Sequence, residues 1–162
     1  MQILMAVLSP VSAIVGVMIG GFITSRIQAQ THARAVADKR LTDRRDACAE
    51  FLGAVRTFRR YIMYSDLQFQ IVSATAEAKG AVLAEGRAEH DARVDATLSR
   101  VMIVAGSDTI VQAAFELAKD LNDFIRLRAE HGRGRIPNSD VARLRAAEQD
   151  FAKKVVSELG LT

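Results

Sequence analysis

Few side chains in this 162-residue sequence could do chemistry: one cysteine, three histidines and several clusters of charge. Cys48 alone can neither close a disulfide within the chain nor supply the spaced pairs of ligands that a cysteine-rich zinc site needs. It sits in RRDACAEFL, on the helical face of Leu52 and Val55, which makes it a packing residue. His32, His90 and His131 are scattered, with no glutamate three residues before any of them and no second histidine four away. The Glu-x-x-His and His-Glu-x-x-His metal signatures are therefore absent, and each histidine is expected at the surface. The sequence contains no Gly-x-x-x-x-Gly-Lys, Gly-x-Gly-x-x-Gly or Gly-x-Ser-x-Gly. Paired carboxylates such as Asp120 and Asp123 fit the solvated face of an amphipathic helix. The expectation is a protein that is not an enzyme, with no catalytic residue, cofactor or metal.

Two basic features remain. Arg56, Arg59 and Arg60 fall within five residues, and no acid occurs between Glu50 and Asp66. On a helix they share a side and repel one another unless opposite charge answers them. Either carboxylates from another helix do so, or the three form a docking site for an acidic partner. Arg133-Gly134-Arg135 resembles the core of a minor-groove hook, but Ile136 separates it from Pro137 and no basic cluster flanks it. No nucleic-acid partner is expected.

The elements that must position these residues begin with an apolar stretch. From Ile3 to Thr24 there are 22 residues without a charge; as a helix they would be about 33 Å long, enough to cross a hydrocarbon core. No Lys or Arg precedes this run, and Arg26, Arg34, Lys39, Arg40, Arg44 and Arg45 follow it against Asp38 and Asp43. The body from 46 onward holds 16 basic and 17 acidic residues, so the basic excess lies next to the apolar run. That asymmetry predicts an uncleaved single-pass anchor in the cytoplasmic membrane, with its N-terminus outside and its body in the cytoplasm. Residues 1–25 then form the transmembrane anchor, 26–40 a basic helical stem whose Arg26, Arg34, Lys39 and Arg40 contact lipid, and 41–162 a cytosolic bundle. A fully buried helix in a bundle and a cleaved signal peptide are the alternatives for the run. Ser12, Gly16, Gly20 and Thr24 recur every four residues, and Gly16 and Gly20 make a GxxxG face through which two spans could self-associate.

The absence of tryptophan, two prolines, and abundant Ala, Arg, Glu and Asp favour an all-α fold. Between Arg26 and Met63 there is no proline and a single glycine, Gly53, so the span is expected to continue into one long helix ending between 65 and about 75. Its seam is Leu41, Cys48, Phe51, Leu52, Val55, Phe58 and Ile62. A second helix is expected from about Glu89 to Ala105, through Val94, Leu98, Val101 and Met102, and stopped by Gly106. A third, capped by Ser107, carries Val111, Ala114, Leu117, Ala118, Leu121, Phe124, Ile125 and Leu127. HGRGRIPNSD is a loop, after which Asn138 or Ser139 starts a last helix with Val141, Leu144, Phe151, Val155 and Leu159 on one face and Gly160 at its end. Short connections predict an antiparallel bundle of three or four helices.

The order of parts, an apolar IVGVMIGGFIT without a leading charge, then SRIQAQTHARAVADKRLTDRRDACAEFLGAVRTFRR, then SRVMIVAGSDTIVQAAFEL, resembles small actinobacterial membrane-anchored helical proteins, some of which carry the plasmid-transfer label KilB. The resemblance is one of layout and spans most of the chain. It implies a place at the cytoplasmic membrane and a role in mobile-element biology. The sequence thus points to a membrane-held bundle that binds an unidentified cytosolic protein or forms a homo-oligomer. The alternative is a membrane-active, holin-like effector assembling through its spans.

Overall fold

In a computed structural model the backbone is described over residues 2–64, 70–72, 81–83, 86–131 and 136–160, and side chains over 31–64, 86–131 and 136–160. Four helices, α1 (Gln2–Tyr64), α2 (Arg87–Val104), α3 (Asp108–His131) and α4 (Asn138–Glu158), are joined by a two-stranded ribbon between the first two, β1 (Gln70–Val72) and β2 (Ala81–Leu83). The chain divides into two compact units, Met1–Leu41 and Thr42–Thr162.

The first unit is helical throughout its described backbone, as expected of a segment free of proline after Pro10. Every side chain described in it, from Thr31 to Leu41, is exposed. Among the described residues no helix is long and apolar enough to cross a membrane. The side chains of the expected span, 1–25, lie outside those described, so the transmembrane reading gains no support from the structure.

The second unit is a bundle in which each helix reverses its predecessor. Arg44, Glu50 and Phe58 of α1 meet Val104, Arg100 and His90 of α2 in turn, so these two run antiparallel. Ser107, at the head of α3, donates 2.7 Å to Glu158 at the tail of α4, while Glu116 lies 3.7 Å from Lys154, which sets α3 and α4 antiparallel as well. Only three residues separate α2 from α3. The order is therefore up-down-up-down, the topology that short loops favour.

The core comes from one stripe on each helix. Phe51, Val55, Phe58 and Ile62 of α1 are almost completely buried with Val101 of α2, Leu117, Leu121, Phe124 and Ile125 of α3, and Leu144 and Phe151 of α4. The ring of Phe51 meets that of Phe151 edge-on, with centroids 5.4 Å apart and planes at 75°, the arrangement that the aromatic quadrupole favours. Cys48 is buried in the same cluster, and burial pushes its thiol above the ordinary cysteine range. A thiol so held is protonated and inert.

Several sequence-based boundaries shift. The first helix is described to Tyr64, residues 65–69 lie outside those described, and the strand Gln70–Val72 rules out an end as late as Thr75. The triplets Gln70–Val72 and Ala81–Leu83 pair antiparallel, with Ile71 opposite Val82. The all-α expectation therefore holds for the bundle but omits this ribbon, which lies against α3. Met102, placed on the inner face of α2 by spacing, is 48% exposed, and Val101 and Val94 do the burying. The end of α2 is fixed by Gly106, whose φ of +61° is a left-handed value that side chains resist. Arg44 lies over this turn and donates 3.0 Å from Nε to the Val104 carbonyl, bringing a cation and a donor to the negative end of α2.

Candidate functional site

The residues singled out in the sequence separate into three groups. Ser12, Gly16, Gly20, Thr24 and Arg26 lie outside the residues whose side chains are described, as does Arg133-Gly134-Arg135. Arg34, Lys39 and Arg40 are exposed on α1. Of the other two cations in this basic stretch, Arg45 is exposed, whereas Arg44 belongs to the bundle as the cap of α2.

The third group, Arg56, Arg59 and Arg60, is where the bundle gathers charge. Residues 56 and 59 are one helical turn apart and face α4, while Arg60 turns outward. Glu148 of α4 answers the first two. Its Oε1 lies 2.9 Å from Arg59 Nη1 and its Oε2 lies 3.5 Å from Arg56 Nε. Of the two readings of the cluster, a carboxylate from another helix accounts for Arg56 and Arg59. Arg60 is exposed, with no carboxylate within ion-pair distance among the described residues, and is the member still open to a docking role.

The junction is tight and imperfect. Glu148 is 4% exposed, and burial raises its carboxyl above the ordinary glutamate range while the guanidinium groups of Arg59 and Arg56 pull it back in part. Although Arg59 Nη1 is close to Oε1, neither Oε1 nor Arg59 Nε has an aligned hydrogen bond among the described residues. Such a pair costs desolvation on both sides, and its geometry recovers only part of it.

Further along, where α1 and α3 end and α4 begins, the bundle opens into a cavity of about 580 Å³. Met63, Ile136 and Val141 supply apolar wall, and Arg128 and Arg145 supply charge. Arg128 is 8% exposed, unusual burial for an arginine.

Sequence reasoning missed Glu148, Arg128 and His90. The first two carried a signal. Leu117, Leu121, Phe124 and Arg128 follow the 4-3-4 spacing of an inner stripe, as do Leu144, Glu148, Phe151 and Val155, so in each helix a charge occupies an apolar register. His90, expected at the surface, is half-buried. Its ring stacks on Phe58 with centroids 5.2 Å apart and lies 4.4 Å from Tyr61. Only the pairing of α1 with α2 brings those rings together, and local spacing carries no trace of it.

Among the described residues no group of three or more His, Cys, Asp or Glu is placed to hold a metal ion. In comparisons with known proteins, no family model, no curated protein and no solved structure matches the chain.

Proposed function

We propose that this chain is a single-pass protein of the cytoplasmic membrane whose helical bundle acts, without catalysis, as a protein-interaction or self-association module. The observation that carries the reading is the uncharged run Ile3–Thr24 followed at once by six basic residues, within a segment that is helical from Gln2. Apolar runs of this length belong to bilayers more often than to bundle interiors, and the Lys and Arg bias directs the body to the cytoplasmic side. Residues 26–40, with Arg26, Arg34, Lys39 and Arg40, act as a stem attracted to anionic lipid. The resemblance in layout to the membrane-anchored group that includes KilB-labelled proteins agrees with this location.

The bundle suits interaction better than chemistry. Its strongest charge cluster is answered by Glu148, its thiol is buried and protonated, and its histidine nearest the core is packed between aromatic rings. Arg60 and the exposed side of Arg56 face outward as the contact for an acidic partner.

Topology is tested by cysteine accessibility in a Cys48→Ala background. In intact cells a membrane-impermeant maleimide should label Gln2→Cys, whereas Ser99→Cys should react only after permeabilisation. Equal labelling of both positions in intact cells, or of neither, contradicts the orientation.

A further inference from the structure

Within the bundle, the outer side of α1 is a helix face with no neighbour and an unusual make-up. Ala49, Gly53, Arg56, Arg60 and Tyr64 follow one another at spacings of four, three, four and four, so they share one side of the helix over about 22 Å. All five are exposed. The positive charge on this face is answered only in part. No acid occurs between Glu50 and Asp66, and Glu50 is taken by Arg100 of α2. Glu148 reaches Arg56 at 3.5 Å yet leaves that side chain 51% exposed, and Arg60 has no carboxylate within ion-pair distance among the described residues. Asp46 is the exposed acid that bounds the face at its near end.

Ala49 and Gly53, one turn apart, form a notch. A glycine inside a helix weakens it, and nothing lies within 4 Å of a Cβ added at Gly53, so no contact among the described residues accounts for its presence. A second helix laid across the notch comes in at the short end of the 8–10 Å range of helix separations. Arg56 and Arg60 then meet carboxylates one turn apart on that helix, and Tyr64, 73% exposed, offers its ring to an apolar side chain beyond them. A second copy using the same face would set arginine against arginine. A phosphate polymer or an anionic bilayer is drawn by a broad basic field, which a body of 16 basic and 17 acidic residues lacks. We infer that this face docks an acidic amphipathic helix of another protein, with a small residue in the notch of Ala49 and Gly53 and two carboxylates one turn apart on Arg56 and Arg60. The inference rests on the reading of the bundle as a protein-interaction module and adds the chemistry of the partner.

The test is photo-crosslinking of the full-length protein in its source cells. The residue p-benzoylphenylalanine is placed at Asp46 or Tyr64, at the two ends of the face, and for comparison at Ser99 or Phe115, exposed on α2 and α3. One protein should be crosslinked from both Asp46 and Tyr64 and from neither comparison position, through a peptide that carries two acids three or four residues apart. Arg60→Glu should lower the yield about tenfold and Arg60→Lys should keep it, and exchanging the partner's matching carboxylate for lysine should restore the yield of Arg60→Glu. Gly53→Ala, which fills the notch without weakening the helix, should lower the yield about fivefold. Thermal unfolding establishes that the variants remain folded. Protein crosslinks from Ser99 or Phe115 alone overturn this face and leave the interaction-module reading standing, whereas no protein crosslink from any of the four positions overturns both. Crosslinking from this face to a second copy of the chain, to lipid, to nucleic acid or to a peptide without paired acids overturns the inference, as does unchanged yield in folded Arg60→Glu or Gly53→Ala.

Discussion

Glu148 behaves as a buried acid held by two cations, and its titration gives a prediction with a definite sign. Its carboxyl is raised by burial against the partial pull of Arg59 and Arg56, so the folded chain binds a proton there more readily than the unfolded chain does. Stability from this group therefore rises as pH falls through the raised value towards the ordinary glutamate range, and is lost as pH climbs back. Removing Arg59 takes away the nearer cation and raises the carboxyl further. Arg59→Met should destabilise the bundle by about 2 kcal/mol at neutral pH, with a smaller loss at acid pH, where the carboxyl is neutral. Urea melts at two pH values read this, and a loss that is larger at acid pH would refute it. A second prediction concerns Gly106. A Cβ there would lie 2.3 Å from Arg44 Nη2, and φ is +61°. Gly106→Ala should cost about 1–2 kcal/mol for the left-handed backbone and also displace the guanidinium from Val104. The double variant with Arg44→Ala should consequently be less destabilised than the two single losses added together.

At the scale of elements, the sequence disclosed most of what periodicity can carry. The inner faces of α1, α3 and α4 follow from apolar residues three and four apart, and Gly106 and Gly160 end α2 and α4 with positive φ. Ser107 was legible as a cap by position, and its carbonyl does accept the Val111 amide at 3.2 Å, yet its hydroxyl is given to Glu158 of a distant helix. That exchange depends on tertiary proximity, which local sequence does not encode. The ribbon was hidden for a related reason: three-residue strands are too short to show a period. The cavity was illegible because it forms only where three helix ends meet, although the arginine on an apolar register of α3 was a sign of it. One element-level change should strengthen the protein. Gly53 lies in the interior of α1 at an exposed position with nothing within 4 Å of an added Cβ. Gly53→Ala should stabilise by about 0.5–1 kcal/mol, because the unfolded chain loses backbone freedom and the helix loses nothing. A denaturation midpoint at or below that of the parent would show that this part of α1 does not behave as a well-formed helix.

For the whole molecule, a neutral bundle and a basic, apolar-led first helix divide the labour proposed here. The body carries a core, an internal ion pair and a cavity, whereas the amino-terminal residues carry the location. The proposed place at the membrane depends on the solvent of Ile3–Thr24. The direct measurement is high-speed centrifugation of a detergent-free lysate followed by an alkaline carbonate wash of the pellet. Full-length protein should sediment and resist the wash, while Arg26, Arg34, Lys39 and Arg40 changed together to Gln should still sediment but lose the preference for a cytoplasmic body. Full-length protein that stays in the supernatant, folded and monodisperse, would contradict the account.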